Sequence, residues 1–174
     1  MNIGNPNDNK ANNCKILQLF DKKIHLYAYS AKEVLGMTTL TLPGTLDSLG
    51  AIAKYVMEAA QTAGLDKKAA YKLRLAVDEI ASNIIIHGYE EAHLEGEIDL
   101  SADINESSLT IIIEDTGAKY DPYETVAVEE EQLKKPLEDR PIGGLGVYLA
   151  IQGVDKYLFE RVGNRNRNIF VVNC

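Results

Sequence analysis

The sequence predicts an α/β two-layer sandwich, an α+β arrangement with a mixed, largely antiparallel sheet on one side and three helices on the other. Three observations predict it. Two long runs with helical apolar spacing stand in succession at residues 46–63 and 67–87. Two β-rich runs at 97–103 and 109–114 follow, joined by a short stretch of turn-forming residues. A Gly-rich turn then opens an apolar helix near Val147, and two strand-like runs close the chain.

Residues 1 to about 13 are polar and Asn-rich (Asn2, Asn5, Asn7, Asn9, Asn12, Asn13), the composition of a disordered tail. Residues 15–36 mix apolar and charged side chains; short strands fit them, and periodicity does not settle the matter. Residues 1–36 are therefore read as an N-terminal extension and 37–174 as the folded domain. Residues 38–42 form a strand ended by Pro43-Gly44. The first helix follows, with Leu46, Leu49, Ile52, Ala53, Val56 and Ala60 on its apolar positions and Gly64 as its stop. Asp66 is the N-cap of the second helix, which runs to about His87. Its stripe of Leu73, Val77, Ile80 and Ile84 must face a core. Beyond Gly88 the two β-rich runs pair as a hairpin across Asn105 to Ser108. Residues 120–140 are acidic with no apolar face and read as a long mobile loop of functional interest. Strands at 156–162 and 168–172 complete the domain. Arg161, Arg165 and Arg167, interspersed with Asn164, Asn166 and Asn168, read as a polar hairpin loop.

Composition narrows the function. With 174 residues, 45% of them hydrophobic and 25% charged, the chain can bury one sizeable core, and its length argues for one domain. A net charge of −8 argues against DNA or RNA as partners, because a phosphate-tracking surface needs clustered Lys and Arg. Cys14 and Cys174 lie at opposite ends without CxxC or Cys/His spacing, so neither a disulfide framework nor a zinc site is indicated. No apolar run approaches membrane-spanning length and no secretory signal is recognisable, which fits a soluble protein of the reducing cytoplasm.

Three short patterns can carry chemistry. Glu79 and Asn83 are four residues apart on the second helix, about 40° apart around its axis, and His87 continues the band by one more turn. Alone, the pair also fits an ordinary solvated helix face. Functionally it sets a carboxylate that can deprotonate a nucleophile beside an amide oxygen that can hold a hard cation such as Mg²⁺ against phosphates. Asp115-Thr116-Gly117 ends the apolar run 109–113, where a carboxylate can meet an amine donor such as the exocyclic nitrogen of adenine, or where Asp and Gly simply make a turn. Gly143-Gly144-Leu145-Gly146 leads directly into a helix, and exposed amides there suit triphosphate oxygens. It is neither a Walker loop nor a dinucleotide fingerprint, and a flexible hinge is the plain alternative.

The order of these patterns, E-x-x-x-N on a helix, then D-x-G after a strand, then a Gly-rich loop entering a helix, resembles the Bergerat-type ATPases. That family is shared by gyrase, a heat-shock chaperone, sensor histidine kinases and mismatch-repair ATPases. The resemblance is closest to the anti-sigma factor serine-protein kinases, and its most specific stretch is LAVDEIASNIIIHGY at residues 75–89. It implies a Bergerat ATP-binding fold using ATP or ADP with Mg²⁺. It also implies Glu79 as general base, Asn83 as the Mg²⁺ ligand, Asp115 as the adenine-recognising residue, and Gly117, Gly144 and Gly146 as nucleotide-loop glycines. Gly143 and Leu145 complete that loop, His87 joins the nucleotide-binding set, and Arg140 reaches phosphate from the end of the acidic segment. Asp121-Pro122 also matches a common pattern of this group. The partners implied are a sigma factor and a STAS-domain antagonist, with a homodimer as the assembly. The pattern departs twice: Lys119 replaces the second glycine of D-x-G-x-G, and the last strand offers Asn168 where many relatives carry a threonine.

Two other readings compete. The same fold could act as a catalytically weak or inactive partner-binding module, a reading that Lys119 and the missing threonine favour. Residues 112–118 also resemble the active-site turn of retroviral-type aspartic proteases, in which two aspartates share a proton. Those proteases are nearly all-β, whereas two long helices precede this motif.

Overall fold

A computed structural model describes residues 37–119, 121–134 and 146–174. The expectations for residues 1–36, a disordered start and short strands, lie outside these. The elements run β1 (Met37–Pro43), a 3-10 turn (Leu46–Ser48), α1 (Leu49–Thr62), α2 (Lys67–Asn83), a π-helical turn (Ile84–Glu90), β2 (Glu97–Ile104) and β3 (Ser108–Asp115). They continue with α3 (Pro122–Leu133), α4 (Gly146–Gln152), β4 (Lys156–Val162) and β5 (Arg165–Asn173). The five strands form one sheet in the order β1-β2-β3-β5-β4, and every described pairing is antiparallel. Helices pack on one face, so the two-layer α/β class read from the sequence is the observed one.

Local chemistry sets the helix boundaries. The Asp66 side chain accepts the Ala69 amide at 2.8 Å and starts α2 as an N-cap. At the end of α1, Gly64 adopts φ 73°, which lets its amide reach the Gln61 carbonyl and the Leu65 amide reach that of Ala60. That double closure is a Schellman motif, and it turns the chain back so that α2 lies against α1. The stripe Leu73, Val77 and Ile80 is fully buried. In β3 the period of two points Leu109, Ile111, Ile113 and then Asp115 at the helical layer, so the aspartate occupies a core position by parity.

Two local expectations are corrected. Residues 120–140 were expected to be a loop, but 122–133 form α3, so the described residues hold four α-helices where the sequence suggested three. Asp121 accepts the Tyr123 amide at 3.0 Å and Pro122 fills the first helical position, where its missing N–H costs nothing. The inward positions are Pro122, Val126 and Glu129, four and then three apart; because the stripe ends in a carboxylate, it does not register as an apolar face. Arg161, Arg165 and Arg167 are not a hairpin loop either. They lie in β4 and β5, whose turn is formed around Gly163 at φ 63°. Arg165 pairs with Asp99, and Arg167 with Glu160 at 2.6 Å.

The helix after Asn83 widens into the π turn, with the Glu91 amide bonded to the Ile86 carbonyl and that of Leu94 to Tyr89, each five residues back. This swings Tyr89 into the core, where it is 1% exposed. Its hydroxyl donates to the Glu97 carbonyl at 2.8 Å and accepts the Thr116 amide at 3.1 Å. Its ring lies against Gly44 and Gly96, where an added Cβ would stand 2.6 and 2.7 Å from ring carbons. Tyr89→Phe leaves both backbone groups without their partner and is expected to lower unfolding stability by about 1–3 kcal/mol. Urea denaturation checks this; a change under a few tenths of a kcal/mol means water replaces the hydroxyl at no cost.

Candidate functional site

Two contacts tie the described site residues to the helical layer: Glu79 of α2 lies against Gly146 in the first turn of α4, and Gly117 after β3 lies against Gly88 of the π turn. Asp115 is 1% exposed. Its Oδ1 accepts the Gly117 amide at 2.9 Å and the Asn166 side-chain amide at 2.8 Å. Its Oδ2 is buried and has no hydrogen-bond partner among the described residues. Buried polar atoms are nearly always satisfied, so this oxygen has capacity for a donor from outside the chain, water or ligand. Burial pushes the Asp115 carboxyl above the usual aspartate range, against the opposing pull of the Asn166 and Gly117 hydrogen bonds.

The Asp-Thr-Gly turn is held to the π turn from below. The Ala118 amide donates to the Gly88 carbonyl at 2.9 Å, and a Cβ on Gly117 would meet that same oxygen at 2.9 Å. Glycine at 117 therefore permits the close approach. Lys119, where the family pattern has a second glycine, is exposed.

On α2, Glu79 and Asn83 are half-buried, and neither side chain has a hydrogen-bond partner among the described residues. The Glu79 carboxylate lies against Gly146, where a Cβ would stand 1.9 Å from Oε1. The last glycine of the Gly-rich stretch thus leaves room for the carboxylate. Gly143, Gly144, Leu145 and Arg140 lie outside the described residues. His87 does not follow the α-helical phase of Glu79 and Asn83, because it falls within the π turn. Its ring is exposed, with Nδ1 2.8 Å from Glu91 Oε2.

Three further polar residues are buried here: Asn166 and Glu129, which the sequence reading did not single out for the site, and Asn168, which it named only in place of a threonine. Asn166 faces Asp115 across the β3–β5 ladder; besides holding Oδ1, it accepts from Arg161 at 2.5 Å. Asn168 faces Ile113 two pairs further on, and its Oδ1 accepts the Tyr157 hydroxyl at 2.5 Å. Both sit on the inward face of β5 with Phe170 and Val172, so asparagines recurring at the apolar period of a strand were the available signal. Glu129 on α3 is the third. Its Oε2 accepts the Tyr148 amide of α4 at 2.6 Å. Burial raises the Glu129 carboxyl, the Tyr148 and Val147 amides oppose this, and neighbouring Glu79 raises it further.

A five-stranded antiparallel sheet under a helical layer, with a buried aspartate at the end of β3 and E-x-x-x-N on the central helix, defines an α/β ATPase fold of the Bergerat type. The family model described as the histidine kinase-like ATPase domain matches residues 42–171, and the chain belongs to that family. It is similar to the serine-protein kinase RsbW of Halalkalibacterium halodurans, 28% identical over 122 residues that cover 67% of this chain and 71% of the relative. The serine-protein kinase RsbW of Bacillus mycoides is 28% identical over 130 residues, covering 74% of this chain and 71% of that protein. The protein of that name from Bacillus cereus strain AH820 is 33% identical over 78 residues, 44% of this chain and 48% of its own. Family and helical layer together overturn the aspartic-protease reading, which needs a nearly all-β chain. No helix among the described residues is long and apolar enough to cross a membrane.

Because its carboxyl is raised in the folded state, Asp115 binds its proton more readily folded than unfolded. Its contribution to stability is thus fully present below the ordinary value of 3.8 and is lost as pH rises through the raised folded value. Relative to Asp115→Asn, the wild type is expected to gain stability as pH falls from neutrality and to level off near 3.8. Urea titrations at stepped pH check this; the opposite slope means Asn166 and Gly117 hold the carboxylate ionised.

Proposed function

We propose that this chain is an ATP-dependent serine/threonine protein kinase of the anti-sigma type, with residues 37–174 as its ATPase domain. It transfers the γ-phosphoryl group to a serine or threonine on a STAS-domain antagonist and sequesters a sigma factor. It works as a cytoplasmic homodimer. Family membership and the resemblance to RsbW kinases support the reading. The observation that carries it is the orphaned, buried Oδ2 of Asp115, an acceptor matched to the exocyclic amine of adenine.

The residues fit the groups they would hold. Asp115 takes the adenine amine, and Gly117 keeps the turn close enough for the base to lie against it. Asn83 offers a side-chain oxygen to Mg²⁺, which supplies charge neutralisation on the phosphates when bound. The resemblance assigns the phosphates to Gly143, Gly144, Leu145 and Gly146, with Arg140 as a further phosphate-binding residue. Glu79, unencumbered and facing Gly146, accepts the proton of the attacking hydroxyl. In phosphoryl transfer such positioning and electrostatics supply most of the rate. His87, exposed beside Glu91, has no part in this assignment.

A second reading keeps the fold and drops the chemistry, leaving a nucleotide-tuned module that only binds its partner. Lys119 at the glycine position and Asn168 engaged by Tyr157 favour it. Calorimetry with Mg²⁺ and ATP is the first test: Asp115→Asn is expected to weaken binding by about 2 kcal/mol, or about 30-fold. Transfer of labelled γ-phosphate to a STAS-domain protein is the second. Glu79→Gln is expected to bind ATP normally and to lose about 10²–10⁴-fold in transfer rate. Nucleotide binding with no transfer in the wild type selects the binding-module reading, and no binding at millimolar nucleotide ends the kinase reading.

A further inference from the structure

Asp115, Asn166 and Arg161 stand in one row across three strands: Asp115 of β3 pairs with Asn166 of β5, and Asn166 pairs with Arg161 of β4. Asn166 is 3% exposed, and a buried asparagine needs partners for a carbonyl oxygen and an amino group at once. Both are engaged. Its Oδ1 accepts from Arg161 Nη1 at 2.5 Å, and its Nδ2 donates to Asp115 Oδ1 at 2.8 Å. The same nitrogen lies 3.3 Å from the carbonyl oxygens of Gly117 and of Ala118.

These partners allow the amide one orientation. A guanidinium only donates, so it must meet the oxygen; an ionised carboxylate and two backbone carbonyls only accept, so they must meet the nitrogen. Turned over, the amide would set its oxygen against three acceptors and its amino group against a cation. Asn166 thus ties the end of β3 and the turn after it to the edge strand β4.

The consequence falls on Asp115. With the Gly117 amide and Asn166 both on Oδ1, that oxygen is committed and rotation about the Cβ–Cγ bond is opposed, so Oδ2 is the oxygen left open. Burial favours the protonated form of Asp115, and the Asn166 hydrogen bond is the largest of the pulls that oppose it. An ionised carboxylate accepts and cannot donate, so an Oδ2 held in this way admits an N–H and turns away a carbonyl.

We propose that Asn166, tethered by Arg161, is a positioning residue that keeps Asp115 an acceptor of fixed direction and thereby sets a preference for a 6-amino purine over a 6-oxo purine. This rests on the nucleotide-binding reading above. Asn166 and Arg161 act through Asp115 and need no contact of their own with the base. Without Asn166 the carboxyl group can rotate and take up a proton, and a carboxylic acid can offer its O–H to a 6-oxo group. Discrimination between the two bases then falls, whatever happens to affinity as such.

Calorimetric titration of the full chain with Mg²⁺-ATP and with Mg²⁺-ITP, whose base carries a carbonyl in place of the amine, reads the ratio of the two affinities. The wild type is expected to favour ATP by about 30-fold, the worth of one charge-assisted hydrogen bond. Asn166→Ala is expected to lower that ratio about tenfold and Arg161→Met about threefold. Arg161→Lys, which keeps a donor for the Asn166 oxygen, is expected to restore most of it. A merely structural role would weaken both nucleotides by the same factor, so an unchanged ratio in Asn166→Ala or in Arg161→Met overturns the inference. Arg161 is exposed, so its variants decide the matter if Asn166→Ala folds poorly. Equal binding of ATP and ITP by the wild type also overturns it, and leaves a nucleotide site whose base is read elsewhere. Failure of the wild type to bind either nucleotide removes the nucleotide reading and this inference with it.

Discussion

The organisation of the site depends on a change of helical pitch at residues 84–90. Were α2 to continue in α-helical phase, Gly88 and Tyr89 would not face the β3 turn. The wider π turn aims the Gly88 carbonyl at the Ala118 amide and drives Tyr89 between Gly44 and Gly96, where its hydroxyl fixes the Thr116 amide. The Asp-Thr-Gly turn is therefore held at both ends by the π turn that continues the helix of Glu79 and Asn83. A π turn is locally less favourable than an α turn, and such turns are frequent at functional sites. Here the two hydrogen bonds of Tyr89 and its buried ring offset that disadvantage.

Carboxylates do most of the remaining work, and their environments separate their roles. Asp115 is buried with one oxygen satisfied and one not, which suits a fixed recognition element. Glu79 is half-buried, and its carboxylate lies against Gly146, which suits the proton-accepting role proposed for it. Glu129 is buried and accepts the Tyr148 amide, which ties α3 to the first turn of α4. On the outer face of the sheet Asp99 and Glu160 meet Arg165 and Arg167. Partly exposed pairs like these contribute little energy, but they keep a net-negative chain from presenting one uninterrupted acidic surface.

Much of this was legible from residue order. The helical phase relating Glu79 to Asn83, the N-cap at Asp66, the hairpin of β2 and β3 and the turn at Gly117 all follow from local spacing. What escaped required tertiary partners. Asn166 becomes a site residue only when β5 pairs with β3 in a register that sets it opposite Asp115, 51 residues earlier. Helix α3 was hidden because its inward stripe ends in Glu129, whose burial makes sense only once the α4 amides are there to receive it. The π turn was hidden because Ile84, Ile85 and Ile86 prolong an apolar run that an α-helix would accommodate equally well. The arginines were misplaced because neighbouring asparagines imitate loop composition, although two of those asparagines point into the core.

The strand order carries a consequence for how the domain comes into being. β5 lies between β3 and β4 but follows both in the chain, so the seat of Asp115 closes only after α3, α4 and β4 have been traversed. Contacts between distant segments form slowly, because the intervening chain must first be brought round. During synthesis a ribosome-bound chain lacking β5 would hold Asp115 on an open edge, its carboxylate still in water. Competence to engage a nucleotide would then arrive late and abruptly, with the insertion of a single strand.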